Sequence, residues 1–226
     1  YRAVDGTAHQ VELAAAHAAQ LGAALPWRAF RWHRGQQHYS GTYWSATTAS
    51  HVVYESRLEL SRLILADFDP TTVGIVAQPF LIEHDGRRHI PDFLLVDVDG
   101  MVTVVNVKPA ERLQERKVKE ALRWAGDLFL SRGWRSEIWS GTDPVAMSNV
   151  RFLAGYRRKA LFDSALVATL ADVIQDGDRI GDVEERLRPH RPSESRPVIL
   201  HLLWMGALRA DLSAPLDRET VVARSA

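Results

Sequence analysis

Two Asp-Gly dipeptides, at 85–86 and 99–100, each separate short runs rich in β-branched residues, and this punctuation constrains the fold more than any other feature of the chain. Asp-Gly suits the positive-φ backbone of a tight hairpin turn, so the segment VGIVAQPFLIEHDGRRHIPDFLLVDVDGMVTVVNVKP reads as an antiparallel meander. Within it Asp92 follows a proline at the start of one strand, and Lys108 precedes a proline at the end of the next. The turn at Asp99-Gly100 returns one end beside the other. Asn106 and Lys108 are two apart and so share a sheet face. Asp92, Asn106 and Lys108 are therefore expected to meet at one end of the sheet. The same residue types also serve at exposed edges and turns, and spacing alone leaves both readings open.

Helical patterns flank the meander. The alanine-rich run 8–25 predicts a peripheral helix ended by Pro26. Residues 48–67 predict a core-packed helix with Val53, Leu58, Leu60, Leu63, Ile64 and Leu65 on its apolar face and Ser50 as its cap. Glu55 and Glu59 stand four apart on that helix, where like charges repel by a few tenths of a kcal/mol and a bound cation relieves the cost. Residues 110–131 predict an amphipathic helix with Leu113, Val118, Leu122, Ala125 and Leu128 inward, and 134–140 a further strand beside the sheet. Helix, antiparallel strands, helix and strand make an α/β sandwich.

The strand pattern stops near Asp143, where residues 143–158 read as a linker with basic residues. Helical runs follow at 163–174, 180–187 and 196–212, closed by a small hairpin over 213–223. Three short helices and a hairpin suggest a winged helix-turn-helix, with a generic helical cap as the alternative.

The 28 basic and 28 acidic residues cancel, so no overall field draws in nucleic acid and any such contact must be local. One local patch is RWHRGQQHYSGTYW, residues 31–44, where Arg31 and Arg34 alternate with aromatic rings that stack on bases or pack the arm onto the domain. Arg112, Arg116, Lys117 and Lys119 follow Lys108 and are either solvated or in reach of a DNA backbone. The absence of cysteine excludes disulfides and thiolate metal sites. No apolar run reaches the ~18–20 residues of a membrane helix, and no secretory signal opens the chain, which predicts a cytosolic protein. No phosphate-binding glycine loop, zinc-protease helix or nucleophile elbow is present, and the nine histidines are scattered.

YESRLELSRLILADFDP, then VAQPF, RRHIPDFLLVDVDG and VVNVKP together resemble the TnsA-like endonuclease subunits of heteromeric transposases, members of the PD-(D/E)xK nuclease superfamily. The resemblance spans roughly residues 27–160, with a looser match of the later helices to a winged-helix C-terminal domain. It implies a restriction-endonuclease-like mixed sheet flanked by helices. The domains expected are an N-terminal helix and arm over 1–47, a nuclease core over 48–150 and a winged-helix-like domain over 151–226. Glu59 completes Ser-x-Leu-Glu and matches the helix acid, with Glu55 as the alternative. Asp92 matches the metal aspartate, Lys108 the catalytic lysine, and the Val107 carbonyl a further metal ligand. Asn106 stands where most of the superfamily carries Glu or Gln, which weakens the expectation of two tightly held ions.

What the resemblance implies is Mg2+-dependent hydrolysis of DNA at the 5′ ends of a mobile element, with Mn2+ able to substitute and 5′-phosphate and 3′-hydroxyl products. Arg31, Arg34, Arg112 and Lys117 are the expected DNA contacts. The implied partners are transposon-end DNA, a TnsB-type DDE transposase and a TnsC-type ATPase regulator in a bacterial cytoplasm. A stand-alone restriction or repair nuclease, and a catalytically degenerate assembly module, are the alternatives.

Overall fold

A computed structural model describes residues 1–28, 39–187 and 195–225. The chain divides into two compact units, Tyr1–Asp67 with Thr71–Gly141, and Phe68–Pro70 with Thr142–Ala226.

In the first unit a short helix α1 (Ala18–Gly22) precedes the hairpin β1 (Gly41–Ser45) and β2 (Ser50–Tyr54), and then the helix α2 (Arg57–Phe68). The strands β3 (Thr72–Ala77), β4 (Ile82–His84), β5 (Arg87–His89), β6 (Phe93–Asp97) and β7 (Val102–Val107) follow. The helix α3 (Arg116–Ser131) and the strand β8 (Arg135–Trp139) complete the unit. The main sheet has the order β3-β6-β7-β8; its first three strands are antiparallel and β8 runs parallel to β7, which makes the sheet mixed.

Both Asp-Gly turns are where the sequence predicts them. Asp85 and Gly86 have φ of 49° and 71° and join β4 to β5, while Gly100, at 78°, lies between β6 and β7. In the second turn the Asp97 carboxylate also accepts from the N–H groups of Asp99 and Met101, at 3.0 and 2.8 Å. The α3 face at Leu122, Ala125 and Phe129 is buried, whereas Leu113, Val118 and Leu128 are only half-buried. Leu94, Val104, Phe80 and Trp134 join that face in the core. Gly126 lets helix and sheet close up: a Cβ there would stand 3.1 Å from the Ser136 hydroxyl on β8.

Two predicted helices are corrected. Residues 48–67 are not one helix, because Ser50–Tyr54 pair with β1 and helix begins only at Arg57. The cap is Ser56 rather than Ser50: its hydroxyl accepts from the Glu59 N–H at 3.0 Å. A buried carboxylate explains the strand. Asp67, 5 % exposed, accepts from the Tyr43 and Ser45 hydroxyls at 2.8 and 2.6 Å and from the Ala46 and Thr47 N–H groups at 3.0 and 2.8 Å. It thereby ties the hairpin to the end of α2. Residues 8–25 break into a 3-10 turn at Leu13–Ala15 and α1, because only Ala16, Leu21 and Ala24 find burial and a short alanine run is marginal alone.

The second unit holds the helices α4 (Pro144–Leu153), α5 (Ser164–Val173), α6 (Ile180–Leu187) and α7 (Ser195–Trp204), and the antiparallel pair β9 (Leu208–Ala210) and β10 (Val222–Arg224). The predicted linker at 143–158 is largely helix: Asp143 caps α4 by accepting from Val145 and Ala146, each at 2.9 Å, with Pro144 at the first helical position. The apolar α7, buried from Val198 to Trp204, packs against α4, α5 and α6. The predicted 213–223 hairpin is wider than expected. The Asn149 amide donates to the carbonyls of Leu212 and Ala214, at 2.9 and 2.7 Å, and holds that stretch as a loop. Among the described residues no helix is long and apolar enough to cross a membrane.

Candidate active site

The start of β6 and the end of β7, neighbours in the middle of the first unit's sheet, meet at one end of it, and the first turn of α2 carries a further acid. Asp92 lies one residue before β6, and hydrogen bonds fix its backbone on both sides: its N–H donates to the Val105 carbonyl at 3.0 Å and its carbonyl accepts from Gln78 at 2.9 Å. Its Oδ2 accepts from the Val107 N–H at 2.6 Å and from Lys108 Nζ at 3.2 Å. Lys108 Nζ also donates to the Val107 carbonyl, at 2.9 Å. An ammonium carries three donors, so one remains for a ligand.

Glu59 sits in the first turn of α2. Its Oε2 accepts from the Glu55 N–H at 2.8 Å and its Oε1 from the Ser56 hydroxyl at 3.0 Å, a capping box displaced by one residue. Burial pushes this carboxyl up to about 7, and the charges of Asp92 and Glu55 add to the shift against the pull of the two hydrogen bonds. The charge of Asp92 thus reaches Glu59.

Asn106 is fully buried. Its Oδ1 stands 2.6 Å from His89 Nε2, while its Nδ2 has no hydrogen-bond partner among the described residues. Burial lowers the His89 pKa, and so do the charges of Lys108 and Arg28, against the Asn106 contact and Asp92. Glu55, the alternative acid, is engaged elsewhere: its Oε2 accepts from Arg28 Nη1 at 2.8 Å.

Asp92, Lys108 and the Val107 carbonyl therefore meet, Asn106 precedes Val107 on β7, and Glu59 is linked to them through the charge of Asp92. Arg112 is exposed and pairs with Glu115 at 3.0 Å, and Lys117 is exposed on α3. Arg31 and Arg34 lie outside the described residues. Sequence reasoning missed His89, Arg28 and any role for Gln78. The His-Ile-Pro-Asp run and the Gln-Pro pair in VAQPF were the only signals available.

The donor set fits a hard cation that keeps part of its water. It offers two carboxylates and a carbonyl, all oxygen, and magnesium commonly takes only one or two carboxylates. Among the described residues no group of three or more His, Cys, Asp or Glu could hold a metal, so a closed zinc or calcium cage has no counterpart here. Asp92 Oδ1 accepts no hydrogen bond from a described residue and is the oxygen open to such an ion. A cavity lined by Tyr1, Leu13, Phe80 and Trp134 lies in the same unit and includes none of these groups.

A scan against protein-family models finds no match, and neither does a search of the curated proteins.

Proposed function

We propose that the chain is the Mg2+-dependent DNA endonuclease subunit of a heteromeric transposase, cutting the non-transferred strand at the 5′ ends of a mobile element. One observation carries the reading: Asp92 accepts the Lys108 ammonium at 3.2 Å while its charge bears on Glu59, a carboxyl raised to about 7. Two acids crowded beside a lysine suit a divalent cation and a phosphate. The proposal includes a restriction-endonuclease-like fold for the first unit and a winged-helix character for the second.

Glu59, Asp92 and the Val107 carbonyl would hold the ion. When bound, magnesium supplies Lewis acidity at the scissile phosphate and a water of lowered pKa. Lys108 orients that water or offsets charge on the phosphate through its remaining N–H, because its other two contacts fix the ammonium in place. Asp92 keeps Lys108 near the phosphate, and Ser56 and the Glu55 N–H fix the Glu59 carboxylate. The neutral Asn106 adds no charge, which favours a single ion. A TnsB-type DDE transposase would cut and join the 3′ ends, and a TnsC-type ATPase regulator would meet the C-terminal part.

The test incubates the chain, alone and with its transposase, with element-end DNA and magnesium. Nicking of the 5′ strand that is lost in Lys108→Ala is the expected result; equal nicking by that variant overturns the assignment. Sequence-specific cutting by the isolated chain at sites unrelated to element ends would instead favour a stand-alone nuclease. The enclosed, neutral Asn106 favours a second reading, a non-catalytic assembly module, and failure of magnesium and manganese alike to raise the melting temperature would support it.

A further inference from the structure

Gln78 is 3 % exposed and has a φ of 46°, a left-handed conformation that a non-glycine residue adopts only when its surroundings hold it there. Three hydrogen bonds do so. Its N–H donates to the Asp92 carbonyl at 2.9 Å, its carbonyl accepts from Trp27 at 3.0 Å, and its side-chain Oε1 accepts from the Arg28 N–H at 3.1 Å. One buried residue with a left-handed backbone thus connects Asp92, through its main-chain N–H, to the backbone N–H of Arg28, fifty residues before it in the chain, through its side-chain oxygen.

The Arg28 side chain is 51 % exposed and spends Nη1 on Glu55, four residues before Glu59. Its Nε and Nη2 have no partner among the described residues. An ordinary surface ion pair contributes little and requires no buried anchor for its backbone. A guanidinium on an anchored backbone, with donors that no described residue takes, is instead suited to the forked recognition of a phosphate. The charges of Arg28 and Lys108 both act to lower the His89 pKa.

We propose that Arg28 forms a phosphate-binding subsite beside Lys108, taking a backbone phosphodiester of the bound DNA, and that Gln78 is the positioning residue that holds it there. The identity of the ligand rests on the nuclease reading; the capacity to bind a phosphate does not. Glu55 then serves to orient Arg28, which leaves Glu59 as the acid available to a cation.

The test measures binding of a short element-end duplex by fluorescence anisotropy across a salt series, with calcium replacing magnesium. The wild type is compared with Arg28→Ala, Arg28→Lys, Gln78→Gly and the double variant Arg28→Ala with Gln78→Gly. Loss of one phosphate contact should weaken binding about tenfold in Arg28→Ala and make the slope of log affinity against log salt shallower by about 0.9. Arg28→Lys should keep the slope but bind more weakly. Gln78→Gly suits the positive φ and removes the amide, so it should reproduce the slope change, with no further loss in the double variant. A merely structural Gln78 would lower the melting temperature and leave the slope unchanged.

A second arm measures thermal stabilisation by inorganic phosphate, expected for the wild type and absent in Arg28→Ala. Wild-type DNA affinity and slope in Arg28→Ala, with cutting still dependent on Lys108, overturn the subsite and leave the nuclease reading standing. Stabilisation by phosphate through Arg28 without any DNA binding upholds the subsite and sinks the nuclease reading. Indifference of the wild type to both ligands removes both.

Discussion

Glu59 is the residue on which the electrostatics turn. Its carboxyl is raised from 4.5 to about 7, so the folded chain holds a proton that the unfolded chain releases across that range. Its contribution to stability is complete below about 4.5 and is lost as pH rises towards about 7. In Glu59→Gln this part of the decline should vanish, as shown by the difference between the two melting temperatures across the range. Added magnesium should offset the decline in the wild type but not in the variant, because a cation favours the ionised carboxylate. Equal pH profiles for the two chains would remove Glu59 from the electrostatic account.

At this scale the sequence was informative where spacing determines proximity. The turn at Asp99-Gly100 and the two-residue period were enough to bring Asp92 beside Lys108. They were silent on Gln78, whose role depends on the sign of its φ and on a partner far along the chain. They were equally silent on Asn106, since neither its enclosure nor its contact with His89 follows from strand periodicity.

Among the elements, α2 and its hairpin hold the site's acid in place. Ser56→Ala removes the cap and should cost about 1 kcal/mol, read from chemical denaturation. Its Glu59 carboxylate also loses one of two hydrogen bonds, so metal affinity should fall with stability. Asp67→Ala should be more damaging. It leaves two hydroxyls and two N–H groups without their shared acceptor, at a cost on the order of 3 kcal/mol in the same measurement.

The same carboxylate explains why residues 48–67 are not the single helix that their pattern predicts. Val53, Leu58 and the later leucines fall at helical spacings, but the β1–β2 turn lacks an Asn-Gly or Asp-Gly signal. The decisive contacts come from Asp67 at the far end of the segment. Helix α3 was legible because its apolar face is long and regular, while α4 was missed although Asp143-Pro144 is a helix-start signal.

For the whole molecule, zero formal charge removes general attraction to DNA, so the proposed function requires local cations such as Lys108 and Arg28 to make the contacts. The two units also carry opposite pH responses. His201, buried in the second, lies 2.7 Å from the Tyr156 carbonyl through Nδ1 and stacks on Phe162. Burial lowers its pKa, with the Lys159 charge acting in the same direction against the Tyr156 contact. Its stabilising contribution is therefore present above the ordinary value of 6.5 and is lost as pH falls below it. His201→Gln should flatten that acid-side loss in a calorimetric pH series while leaving the Glu59-dependent loss intact.

The second unit begins close to the change of pattern near Asp143, whereas the boundary expected at 150–151 falls inside α4. The pattern is silent on Phe68–Pro70, which group with the second unit through contacts such as that between Phe68 and Trp204, at 5.3 Å.

The claim beneath all of this is that Glu59 and Asp92 bind one divalent cation between them. Titration of manganese into the wild type, Glu59→Gln and Asp92→Asn, followed by calorimetry and by the paramagnetic signal of the free ion, tests it most directly. The wild type should bind the ion and gain about 2.7 kcal/mol of stability at a hundredfold excess over Kd, and each variant should lose most of that affinity. Manganese bound equally well by all three chains, or by none, would contradict it.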